Sequence, residues 1–138
     1  MATITGLSNE YFDLLFHEET KIVHHIYKAP MSSGQLKELL NAATDMMENY
    51  GATKWLSDNR LLANTFGDEA ALWVNNVWLP RTVRAGWKYW AMVVPNCVLG
   101  RADQQKYVKS IYNSGIWVTI HKDVESAMKW IKAQKPAL

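Results

Sequence analysis

Of the 138 residues, nearly half are apolar and one fifth are charged, the balance of a single globular domain with its own core and not of a disordered chain. A net charge of +2 leaves no basic footprint and argues against a nucleic-acid partner, and the lone Cys97 excludes an internal disulfide. No apolar run approaches the roughly 20 residues needed to span a bilayer, and no basic stretch leads into an apolar one as in a secretory signal, so no membrane span and a cytoplasmic location are expected.

The first patterned stretch is "YFDLLFHEETKIVHHIYKAP". Two runs rich in aromatic and β-branched residues flank a polar "EET", which predicts an antiparallel hairpin over 11–17 and 21–27. Pro30 stops the second strand. In "MSSGQLKELLNAATDMMENYG", Ser32 and Gln35 have capping-box spacing. Leu36, Leu39, Leu40, Ala43, Met47 and Tyr50 recur at helical spacing, and Gly51 suits the left-handed helix end.

Residues 54–57 read as a short buried strand. Asp68 is then expected to cap a helix through "EAALWVNNVW", with Glu69 favoured at the positive end of its dipole. Pro80 fits the first turn of a second short helix ending near Gly86. "KYWAMVVP" is the next strand, a helix follows over about 103–112, and "IWVTIH" (116–121) is the last strand. Asp123 caps a final helix that turns Val124, Ala127, Met128 and Ile131 inward.

The order β-β-α-β-α-β-α-β-α implies right-handed crossovers. The expected fold is therefore α/β: one domain with a mostly parallel mixed sheet of about five strands, an N-terminal antiparallel hairpin and about four helices. Residues 1–8 and 134–138 are expected to be frayed. Seven Trp and six Tyr are many for this length; they point to a large core or to a partner surface.

This order, with "WLSDNR", "WLPRTVRAGWKYWAMVVP" and the closing "DVESAMKWI", resembles the SpoIIAA-like group of the STAS superfamily over residues 11–131. The resemblance implies a small regulatory module for protein interaction or ligand sensing, without catalysis or a cofactor. In switching members of that superfamily, a phosphorylatable serine starts the helix after this strand. Here Asp68 and Glu69 occupy that place, so the phosphoswitch is expected to be absent or fixed in an acidic state. Thr65 reads as a loop residue, and Ser57 falls at a strand end.

Three constellations bear on chemistry. The carboxyl ends of parallel strands commonly form a ligand mouth, which would gather Ser57, Asp58, Arg60, Asn96, Cys97 and His121. Asp58, Cys97 and His121 are also the residue types of a thiol nucleophile with its base and orienting acid, but no nucleophile motif surrounds them, and packing or capping roles are the simpler reading. His24 and His25, as strand neighbours, point to opposite faces. His17 shares a face with His24, giving two ligands where a structural zinc site needs four, so no metal is expected. Finally, Trp73, Val77, Trp78, Arg81, Arg84 and Trp87 form an aromatic and basic set of the kind enriched at hot spots. That set is the expected contact surface for a protein partner or for a second copy in a homodimer. The alternative function is carriage or sensing of a small apolar or anionic ligand, with Met46, Met47, Met92 and Met128 as adaptable liners.

Overall fold

The computed structural model describes residues 2–135. Six strands form one mixed sheet in the order of the chain: β1 (Thr3–Ser8), β2 (Phe12–His17), β3 (Ile22–Tyr27), β4 (Lys54–Asp58), β5 (Tyr89–Val93) and β6 (Trp117–His121). The first two pairings are antiparallel and the remaining three parallel. Helix α1 (Ser33–Tyr50) joins β3 to β4. A helical segment made of α2 (Gly67–Trp73), a π turn (Val74–Trp78) and α3 (Leu79–Arg84) joins β4 to β5. Helix α4 (Val98–Asn113) joins β5 to β6, and α5 (Val124–Lys132) closes the chain.

The parallel strands are laid down in sequence, so right-handed crossovers place every connecting helix on the same face. That face holds the larger core, where Phe12, Leu14, Phe16, Leu39, Met47, Trp55 and Met92 are buried. The opposite face is covered by α5, whose Ala127 and Ile131 pack on Ile22, Leu56, Ala91 and Val93, with Val124 and Met128 alongside. A sheet built in one direction has no reversal of strand order, hence no switch-point crevice at its carboxyl edge.

Local chemistry explains the best-formed elements. Ser32 Oγ accepts from the Gln35 amide at 3.2 Å while Gln35 Oε1 accepts from the Ser32 amide at 2.8 Å, which completes the capping box. Gly51 ends α1 at φ 65°, a conformation that glycine reaches without strain. Residues 3–8 are not frayed. They form an edge strand with a register irregularity between Thr5 and Leu7, where a side chain at Gly6 would run into the end of Met46. Of 134–138, Gln134 donates from its amide side chain to the Trp130 carbonyl at 2.9 Å, and 136–138 lie outside the described residues.

Two helix starts differ from expectation. Asp68 does not cap α2; the residue at that position is Phe66, which makes no side-chain cap. Instead the Phe66 amide donates to Asp103 Oδ1 on α4 at 3.2 Å. Helix α4 begins five residues earlier than the pattern indicates, because Cys97 acts as its cap: Sγ accepts from the Gly100 amide at 3.3 Å and donates to the Leu62 carbonyl at 3.4 Å.

Candidate functional site

A cavity of about 60 Å³ lies between the three-helix layer and the sheet. The alternation of strand side chains sends His25 and Tyr27 of β3, Trp55 and Ser57 of β4, and Trp90 of β5 to this face. Helices complete the wall with Leu36 and Leu40 from α1, Val74 and Trp78 from the π turn, and Asp103, Gln104 and Tyr107 from α4. Trp87 enters from the loop before β5. At this volume the space holds about two to four waters, well below the several hundred cubic ångströms that enclose a drug-sized ligand. Met46, Met47 and Met92 are core filler and do not line it, and Met128 packs on the other face.

Trp55, Trp78, Trp87 and Trp90 form one cluster, with centroid spacings of 5.3–5.8 Å and mostly edge-to-face geometry. Each such pair adds about 0.5–1.5 kcal/mol beyond area burial. Every indole N–H in the cluster is already bonded within the protein. Trp55 donates to His25 Nδ1 at 2.9 Å, Trp78 to Thr44 Oγ1 at 2.9 Å, Trp87 to the Tyr89 carbonyl at 3.1 Å, and Trp90 to Ser57 Oγ at 2.7 Å.

The bond from Trp55 fixes the His25 tautomer, so His25 Nε2–H donates to Asn59 Oδ1 at 2.9 Å. Asn59 in turn donates to Gln104 Oε1 at 2.5 Å. Burial holds the His25 imidazole neutral, with its pKa pulled down to about 4. It also pushes the Tyr107 hydroxyl up to about 12 and the Tyr27 hydroxyl higher still. Asp103 is raised above the ordinary carboxyl range, first by burial, with the Phe66 amide and Lys106 acting against the shift. Two polar atoms of these lining residues, Asp103 Oδ2 and the Tyr107 hydroxyl oxygen, are buried without a partner among the described residues. Leaving such groups unpaired costs about 1–3 kcal/mol each.

The six mouth residues do not converge on one site. Ser57 is buried and faces the cavity through Trp90. Asp58, its strand neighbour, turns to the other face and takes two bonds from the Arg60 guanidinium, at 2.9 and 2.8 Å, and one from the Arg60 amide at 3.3 Å. Burial raises the Asp58 carboxyl, and the Arg60 bonds and charge more than offset this, leaving it below the usual value. Asn96 is exposed and bonds by its backbone to the Arg60 carbonyl at 2.9 Å. Cys97 caps α4, and His121 places its ring nitrogens against Thr119 (2.8 Å) and Ser126 (3.1 Å). The thiol and imidazole therefore share no hydrogen bond.

The expected contact surface is corrected more sharply. Trp78 and Trp87 are each only 3 % exposed and belong to the cavity wall. Arg81 ties α3 to α1 through Asp45 (2.5 Å) and Glu48 (2.7 Å). Trp73 is half-buried, with Lys37 Nζ 5.5 Å from its ring centre, while Val77 and Arg84 are exposed. The reason lies in the π turn. Ala70, Val74, Trp78 and Thr82 are buried at intervals of four, a phase that a straight 3.6-residue helix drifts away from. The wide turn holds that phase, rotates Val77 outward, and precedes Pro80, which would clash inside a regular helix. Asp68 and Glu69 are exposed in the first turn of α2, with Lys106 Nζ 3.9 Å from Asp68.

On the α5 face, His17 Nε2 lies 3.0 Å from His24 Nδ1, and His24 Nε2 has no partner among the described residues. Burial, and then the neighbouring His17, hold His24 at about 4. Among the described residues, no group of three or more His, Cys, Asp or Glu is placed to hold a metal ion. No described helix is long and apolar enough to cross a membrane.

Asn59, Asp103, Gln104 and Tyr107 escape the sequence reading. The spacing of Asp103, Gln104 and Tyr107 is plain in the sequence, but their inward direction depends on where α4 begins, and a cysteine cap hides that. No protein-family model, no curated protein and no solved structure matches the chain.

Proposed function

We propose that this chain is a small-molecule-sensing regulatory module that acts without covalent chemistry, a reading in keeping with the SpoIIAA-like resemblance. One observation carries it: a cavity walled by four tryptophans is also lined by Asp103 and Tyr107, whose Oδ2 and hydroxyl oxygen are buried with no partner among the described residues. Native interiors rarely leave such groups orphaned without a water, a ligand or a functional reason. The lining is drawn from β3, β4, β5, α1, the π turn and α4, so an occupant would bear on the whole helical layer at once. Leu72 and Val77 are 62 % and 56 % exposed on the outer side of that layer, which supplies a short apolar surface for a protein partner or a second copy to read the occupied state.

The test is a thermal-shift survey with millimolar amines, alcohols and carboxylates of a few heavy atoms, on the wild type and on Leu36→Phe, which fills the cavity. A ligand that binds only the folded state raises stability by RT ln(1 + [L]/Kd). At least one compound is expected to stabilise the wild type and to lose that effect in Leu36→Phe. No shift with any compound, or equal shifts in both proteins, refutes the reading.

A further inference from the structure

We propose that the cavity is built for a small organic cation, an ammonium carrying one or more short alkyl groups, held by the Asp103 carboxylate and the tryptophan walls. This deepens the sensing function above and rests on it.

The charge balance of the wall comes first. Among the described residues no Lys or Arg lines the cavity, and its titratable groups are Asp103, His25, Tyr27 and Tyr107. The His25 ring is fixed in its neutral form by accepting from Trp55. An anion would therefore enter a space whose one carboxyl is Asp103, and would meet no positively charged lining residue. The expectation of an anionic ligand does not fit this lining.

The second constraint is what the wall has left to offer. All four indole N–H groups and the His25 N–H are committed within the protein. What remains of the tryptophans is π-face and ring edge. Indole is the strongest aromatic partner for a cation, and four of them surround the space. Asp103 is 1 % exposed, and its Oδ2 has no partner. A neutral apolar guest would leave both orphaned oxygens unsatisfied. An alkylammonium N–H satisfies Asp103 Oδ2, while its alkyl groups take the aromatic wall.

Size narrows the class further. A volume of about 60 Å³ suits a head of about two to four heavy atoms. At the ligand-efficiency ceiling such a guest binds no tighter than about tens of micromolar, which suits sensing of an abundant metabolite or recognition of the head of a larger one.

Isothermal titration with methyl-, dimethyl- and trimethylammonium, matched to methanol, ethanol, 2-propanol and acetate, tests the class. At least one ammonium is expected to bind at about millimolar Kd or tighter, about ten-fold or more ahead of its neutral match, with acetate weakest. Asp103→Asn retains an acceptor for the Phe66 amide and is expected to cost the ammonium about ten-fold and the alcohols distinctly less. If an alcohol binds as well as the ammonium, or acetate better, the cation assignment falls while the sensing function stands. If none binds, both fall. The wild-type comparison decides between these outcomes even if the variant misfolds.

Discussion

His24 and His25 make the domain acid-sensitive in a calculable way. Both are buried neutral with pKa values of about 4 against an ordinary 6.5. The unfolded chain takes up these protons as pH falls below 6.5, and the folded chain does not until about 4. The stabilisation is therefore complete above pH 6.5 and is lost as pH falls from 6.5 towards 4. A gap of that size is worth about 3 kcal/mol per histidine; by pH 4.5 the two together have lost about 5 kcal/mol, against a typical domain stability of about 5–15 kcal/mol. Asp58, held below its ordinary value, contributes only at lower pH. Asp103, held above it, opposes the histidines in the acid range. Urea unfolding followed by circular dichroism, repeated down the pH scale, measures the fall. His24→Leu removes one buried histidine, with its unpartnered Nε2 and its bond to His17, and should roughly halve the loss while changing neutral-pH stability by about 1 kcal/mol. A flat wild-type profile, or the same slope in wild type and His24→Leu, would show that the buried histidines do not set the acid sensitivity.

Three further substitutions probe the cavity wall. Trp78→Ala should cost about 3–5 kcal/mol and leave sedimentation behaviour of the folded fraction unchanged; weakened self-association with unchanged stability would restore this residue to a contact surface. Asn59→Ala strands the His25 N–H and Gln104 Oε1, and chemical denaturation should show a loss of about 2–6 kcal/mol from two orphaned groups. Gly100→Ala sets a methyl group against the Leu62 carbonyl and Pro95, so a melting curve should register about 1–3 kcal/mol of overpacking, with the α4 side of the cavity displaced.

What the sequence makes legible is what short-range chemistry determines. The Ser32/Gln35 box, Gly51 and the apolar stripe of α1 are all local signals, and the helix stands where they place it. The hairpin follows from two β-rich runs around a polar turn, and the sheet order from the alternation of strand and helix. β1 is hidden because it is a mostly exposed edge of six residues whose short alternation is interrupted at Gly6 by the register irregularity. The cavity is hidden for two reasons of phase. A π turn is invisible to a 3.6-residue count, so Trp78 is assigned to a surface when it lies in the core. Cys97 is not among the preferred helix caps, so the true start of α4, and with it the inward aim of Asp103 and Gln104, goes unread. The mouth residues do not converge because adjacent positions such as Ser57 and Asp58 leave the strand on opposite faces.

The seven tryptophans supply the most direct test. A ¹H–¹⁵N spectrum resolves their indole N–H groups during titration with methylated ammonium ions. Trp55, Trp78, Trp87 and Trp90 should shift together along one binding curve while Trp73, Trp117 and Trp130 stay in place. Movement confined to the latter three, or no movement at saturating millimolar ligand, would contradict binding in the cavity.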